Sequence, residues 1–209
     1  HGTVIVEDFD IDGAGDNLQL VMIKEIVMLE SLQSHSPQTS VRLQSVIYGP
    51  TQKNFDTFKN KDMKFKLISP THQLEVNQRV YRLADRKFMP TNVGMTEEFT
   101  VHACDVTLLR DAKCLVSKSW KCTKPSEVVD YVLEHCVEAK EKEVTSADPA
   151  RDFIAENIHP YQVIAQQANV ALDGDDPSFV HFMTYENKGK HYFTSLKHMT
   201  EGESKKKFK

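Results

Sequence analysis

The chain has 209 residues, with 26 Lys and Arg against 30 Asp and Glu, for a formal net charge of −4. This composition excludes collagen-like and low-complexity classes, and short apolar runs such as Ile26–Leu29 fall far below the roughly 20 residues a membrane helix needs. The charge balance also argues against a nucleic-acid reader, whose phosphate contacts demand a basic face.

Strand patterns dominate the first 120 residues. Leu18–Leu29 is apolar and β-branched with no helical stripe, and Val41–Tyr48 alternates before stopping at Gly49-Pro50. Met63–Ile68 places Met63, Phe65 and Leu67 on one face, with Lys64, Lys66 and Ile68 on the other. Leu74–Leu83 shifts phase midway, as at a bulge. Glu98–Val106 sets Phe99, Val101 and Ala103 opposite Glu98, Thr100 and His102. Half-polar strands at this spacing predict an antiparallel barrel or sandwich.

The period then changes. After Lys124-Pro125, apolar residues recur at Val128, Val129, Val132, Leu133, Cys136 and Val137, a helical stripe with Pro125 in its first turn. Asp148-Pro149 predicts a short helix through Phe153 and Ile154. His159-Pro160 opens another, with Val163, Ile164, Ala168, Ala171 and Leu172 inward and Asp173–Pro177 as its exit. Phe179–Tyr185 and Lys190–Thr194 read as a hairpin around Asn187–Gly189. The expected organisation is a β domain over 1–120, a helical connecting segment over 121–175, a hairpin starting a second β domain over 176–200, and a basic tail over 201–209. Trp120, between strand and helical regions, is expected at a core or domain seam, with an interface as the alternative. Lys205–Lys207 and Lys209 read as a solvated tail. Residue 1 is His, which places the numbering inside a longer product or after processing.

Chemistry-bearing motifs are sparse. Asp8, Asp10, Asp12 and Gly13 occupy positions one, three, five and six of a calcium-loop pattern, and Asp16 falls at nine. The twelfth position is Gln19, which cannot supply a bidentate carboxylate, so a polar turn between strands is the expectation. Asp173, Asp175 and Asp176 read as helix-exit turn chemistry. His102 and Asp105 share a strand without a nucleophile at any telling spacing, and the nine histidines show no ligand spacing. Cys104, Cys114, Cys122 and Cys136 have neither CxxC nor zinc-finger spacing and are expected to be reduced and packed. No catalytic, cofactor-binding or metal-binding residue is assigned, and the protein reads as a non-enzyme.

One segment is more specific. Asn157–Ala171, followed by Asp176–Leu196, resembles the baseplate central hub proteins of contractile-tailed bacteriophages. The resemblance rests on Pro160-Tyr161, Ala168, Phe179, Phe182, Tyr185-Glu186, Gly189, Tyr192-Phe193 and Ser195-Leu196. Upstream, Met28–Leu32 resembles the end of the strand opening the hub's first barrel, and Phe99–Asp105 the strand closing it. Hubs of this kind usually carry a second tube-like barrel after the hairpin, so a chain ending at Lys209 reads as a fragment or as one half of such a hub. The resemblance implies an α+β protein: an antiparallel tail-tube-like β-barrel with an inserted helical segment and the hairpin of a second, incomplete barrel. It implies a homo-oligomer, a trimer, whose ring joins the tail tube to the central spike in the virion baseplate and is assembled in the host cytoplasm. Its partners would be spike, tube and other baseplate proteins, with DNA passing unbound and no membrane insertion. Two other readings stand beside it: a hub or spike of a related contractile injection or secretion system, and a calcium-dependent or hydrolytic enzyme using the Asp8–Asp16 and Asp173–Asp176 loops.

Overall fold

Alternating apolar side chains become paired strands throughout the first half of the chain. The computed structural model describes residues 4–12, 21–47, 58–92, 94–186 and 189–201. Outside the described residues lie Leu18–Leu20, Tyr48, Gly49-Pro50, Gly13, Asp16, Gln19, Asn187-Lys188 and the lysine-rich tail. The chain divides into two units: one of His1–Glu30, Pro37–Val106 and Tyr185–Lys188, the other of Ser31–Ser36, Thr107–Thr184 and Gly189–Lys209.

The first unit is a six-stranded antiparallel sheet. Its strands are β1 (Ile5–Ile11), β2 (Val21–Leu29), β3 (Gln38–Ile47), β4 (Asp62–Ser69), β5 (His72–Thr91) and β6 (Gly94–Cys104), in the order β1-β4-β5-β6-β3-β2. Register follows the predicted faces. Phe65 opposes Val76 across β4–β5, and Val41 opposes Val101 across β3–β6. Met63, Phe65, Phe99, Val101 and Ala103 are buried, with Ile11, Val41, Leu43 and Val80, in one cluster on one face. Because the side-chain period is two, a one-residue slip would put these groups in water, so the face of each strand is strongly specified.

The sheet curls into a half-barrel, and its bulges supply the bend. Extra residues interrupt the ladders between Glu7 and Asp10, between Ile23 and Glu25, and twice along β5, at Val80–Arg82 and Ala84–Lys87. Each bulge adds twist and bends its strand. Asp8 and Asp85 sit in two of them at φ of 53° and 56°. Aspartate tolerates that left-handed conformation because its short side chain hydrogen-bonds locally. The phase shift expected in Leu74–Leu83 is the bulge around Tyr81, and β5 runs on to Thr91, well beyond the predicted end.

The second unit mixes helices with short strands: α1 (Val106–Asp111), β7 (Val116–Thr123), α2 (Pro125–His135), β8 (Lys142–Val144), β9 (Arg151–Ile158), α3 (Pro160–Ala168), β10 (Phe179–Met183), β11 (His191–Ser195) and α4 (Leu196–Glu201). Proline opens both α2 and α3, where its missing N–H costs nothing. Glu127 and Gln162 each reach back to the backbone N–H of the preceding cap residue. The predicted α2 stripe is the core: Val128, Val129, Val132, Leu133 and Val137 are almost wholly inaccessible, packed with Tyr161, Val163, Ile164 and Phe193. Trp120 belongs to this core as well, stacked 5.7 Å from Phe153.

The segment 121–175 is therefore not purely helical, and the helix expected from Asp148-Pro149 is strand β9. Pairing with β7 overrides the start signal: Trp120 opposes Phe153, and burial along Phe153, Ile154 and Ala155 alternates as a strand requires. Within that strand Asp152 Oδ1 accepts the Cys122 N–H at 2.8 Å. The predicted hairpin is β10–β11, with Phe179 opposite Ser195 and Met183 opposite His191, and β8 adds in parallel to β11.

Candidate assembly interface

The six-stranded sheet ends in two one-sided strands. Among the described residues, β1 pairs only with β4 and β2 only with β3. An edge strand presents a row of backbone donors and acceptors that another chain can complete. On β2, Val21, Ile23, Ile26 and Met28 turn toward the sheet's core, whereas Met22 (60% exposed), Val27 and Leu29 (63% exposed) turn away from it. Full burial of such side chains is worth about 1.5–3 kcal/mol each. At the opposite margin Val4 and Ile5 are more than half exposed. A further apolar group stands at the tip of the long β5–β6 ribbon, where Phe88, Met89 and Met95 are exposed and the Arg86 guanidinium lies 4.9 Å from the Phe88 ring.

Charges beside these margins are largely matched within the sheet. Lys66 Nζ lies 2.6 Å from Asp8 Oδ2, and Lys64 Nζ 3.5 Å from Asp12. Arg42 bridges Glu25 at 3.2 Å and Glu98 at 3.8 Å across three neighbouring strands. Exposed pairs of this kind add little stability. They leave the apolar side chains as the features that call for a partner.

Of the motifs singled out in the sequence, one falls on the β1 margin and the others lie away from both margins. Asp8 and Asp10 are not in a loop of either expected kind, but on edge strand β1, where Ile11 and Phe9 turn into the core and Asp10 opposes Lys64. The Asp8 carboxylate meets Lys66 across the ladder, an opposite-charge pairing that an antiparallel sheet favours. Asp176 is a turn residue: it accepts from the Ser178 hydroxyl and the Ser178 and Lys197 backbone N–H groups, bonds that hold its carboxyl below the usual range. Asp173 accepts from the Ser195 hydroxyl at 2.8 Å. Among the described residues no cluster of His, Cys, Asp and Glu has metal-ligand geometry. All four cysteines are thiols, with Cys104 fully buried and Cys122 exposed.

Two histidine arrangements escaped the sequence reading. His102 Nδ1 lies 2.8 Å from Ser40 Oγ, its register partner on β3. Burial first, then the Arg82 charge, lower the proton affinity of that imidazole against the opposing field of Asp85. The second is a chain of three rings in the second unit. His35 Nδ1 lies 2.9 Å from His181 Nδ1, and His181 Nε2 lies 3.1 Å from His191 Nδ1. Because His181 spends its two nitrogens on two different neighbours, the rings form a row and do not converge on one point as zinc ligands would. The signal for His181–His191 was present: in the predicted hairpin, His181 opposes Phe193, so His191 is its diagonal neighbour on the same face.

No protein-family model matches this chain, and no curated protein sequence matches it. Solved structures do. A 43 kDa tail protein of prophage MuSo2 from Shewanella oneidensis matches 93% of this chain with a TM-score of 0.58 at 12% identity, over 56% of its own length. The E. coli c3393 protein is a type VI secretion component described as structurally similar to the T4 tail proteins gp27 and gp5. It matches 91% of this chain with a TM-score of 0.55 at 10% identity, over 48% of its length. The Francisella PdpA–VgrG complex in its half-lidded form matches 84% with a TM-score of 0.51 at 8% identity, over 28% of that chain. This chain therefore spans between about a quarter and just over half of each. At these identities the likeness concerns the fold: a mostly antiparallel, curled β architecture of the kind found in phage tail and type VI secretion proteins.

Proposed function

We propose that the protein is a structural, non-enzymatic subunit of a phage tail baseplate, a hub whose copies stand side by side in a ring. The observation that carries this reading is the sheet with two one-sided strands, β1 and β2, each flanked by outward apolar side chains. In a closed ring the β2 margin of one copy meets the β1 margin of the next, a heterologous contact that ends both edges without open-ended growth. Three copies, with the β10–β11 hairpin opening a second barrel domain, would adapt a six-fold tube above to a three-fold spike below. The low net negative charge of the chain, −4, suits a channel that conducts DNA without holding it. Spike, tube and neighbouring baseplate proteins are the partners this role requires, in the tail of the virion.

The likeness to the E. coli and Francisella structures favours a second reading on the same fold, a hub or spike subunit of a contractile secretion device. Both readings require self-association. Mass photometry and negative-stain imaging at micromolar concentration test it: the expected result is a species of three copies with ring-shaped averages. A monomer at every concentration up to about 100 µM contradicts both.

A further inference from the structure

We infer that His35, His181 and His191 form a proton-responsive latch that holds the Ser31–Ser36 connection while neutral and releases it on acidification. His35 lies in that connection, which joins β2 to β3 yet belongs to the second unit. Its ring packs 5.0 Å from Tyr161 on α3 and 5.1 Å from His181 on β10. His181 and His191 are both buried, stacked at 5.3 Å.

Proton counting makes the three rings one unit. Two ring-to-ring hydrogen bonds engage four of the six nitrogens, and each bond holds a single proton. Three neutral imidazoles bring three protons: two in the bonds and one on an outer nitrogen, His35 Nε2 or His191 Nε2. One more proton fits on the other outer nitrogen with both bonds kept. A second would set two N–H groups against each other and break a bond. Even the first places a cation in a row of two buried rings and one half-buried ring, where desolvation opposes it.

The surrounding charges do little to offset that cost. On α1, the Asp111 carboxylate acts on His35, and its Oδ1 already accepts the Tyr161 N–H at 2.7 Å. On α3, the Tyr161 phenol donates to Thr107 at 2.9 Å. On β8, Lys142 is the register partner of His191, and its ammonium is bound to Asp130 and Glu134, each at 2.8 Å. At the hairpin, Lys190 pairs with Glu143. The Ser31–Ser36 connection carries no charged side chain of its own beyond His35. Burial accordingly lowers the affinity of His35 for protons, partly countered by Asp111 and by a backbone bond to His181. His181 is lowered further, by burial and then by its two histidine neighbours.

The sign follows. A histidine whose proton affinity is lowered in the closed form gains protons on opening, so closure is fully favoured above the ordinary value of 6.5 and weakens as pH falls below it. Opening that exposes one such ring becomes about tenfold more frequent between pH 7.5 and pH 5.5.

Hydrogen exchange of the full chain, corrected for intrinsic rates, tests this. The amides of residues 31–36 are expected to exchange about tenfold faster at pH 5.5 than at pH 7.5. His35→Phe should abolish that dependence, and His72→Gln, at an exposed ring in the first unit, should retain it. A flat profile in the wild-type chain, or an unchanged slope in His35→Phe, overturns the latch. Should His35→Phe fail to fold, ring-nitrogen NMR of the wild-type chain decides: His181 remaining neutral at pH 5.5 supports the proposal, and titration near 6.5 overturns it.

Discussion

Tyr185 Oη lies 3.0 Å from Thr39 Oγ1 and donates to the backbone carbonyl of Gln38, 147 positions earlier in the chain. The Tyr185 N–H is taken up as well, by Glu30 at 2.9 Å. Tyr185, two positions past the end of β10, is thus bonded within the first unit, to which it belongs. Burial pushes its phenol up from the ordinary value, so it stays a neutral donor throughout the physiological range. Tyr185→Phe keeps the ring and removes the donor, so it should cost about 1 kcal/mol, and Tyr185→Ala about 3 kcal/mol. Urea unfolding measures both; equal midpoints for wild type and Tyr185→Phe would remove the bond from the account.

In the second unit the energetic weight sits on the α2 stripe. Leu133 is fully buried in the core of the second unit, so Leu133→Ala is expected to cost about 2–5 kcal/mol. Ile154, on the solvent side of β9 at 63% exposure, should tolerate alanine within about 0.5 kcal/mol. A reversal of that order in denaturant unfolding would contradict the helix and strand faces described above.

The thiols should react in order of exposure. Burial, aided by the Asp105 charge, pushes the Cys104 thiol up to about 12, leaving a thiolate fraction on the order of 10⁻⁴ at pH 8. The Cys136 thiol, half-buried beside Cys114, is pushed up to about 11 by burial first and then by Cys114. With an aromatic disulfide reagent, Cys122 should be modified first and Cys104 only on unfolding, as peptide mass spectrometry can follow. Equal rates for Cys104 and Cys122 would show that the β6 end opens readily.

The sheet and the α2 stripe were legible because burial imposes periods of two and of 3.6. Met63, Phe65, Phe99 and Val101 declared their face, and Val128–Leu133 theirs, without any long-range information. Bulge positions were only partly legible. The shift in β5 broke an alternation and could be seen, whereas Asp8 imitated turn and calcium-loop chemistry although it sits in an edge strand. Strand β9 was misread because Asp148-Pro149 is a local start signal and its pairing with β7 is not local. The histidine row was hidden for a related reason. His35 and His181 are 146 positions apart, and no periodicity encodes a contact of that kind.

The central claim is that the β1 and β2 margins are completed by sister copies. Light scattering of Met22→Lys/Leu29→Lys tests it most directly, because both side chains are exposed and neither supports the core. The account predicts that the wild-type chain associates at micromolar concentration, whereas the double variant is monomeric with an unfolding midpoint within about 0.5 kcal/mol of wild type. A double variant that associates as strongly as wild type would contradict it.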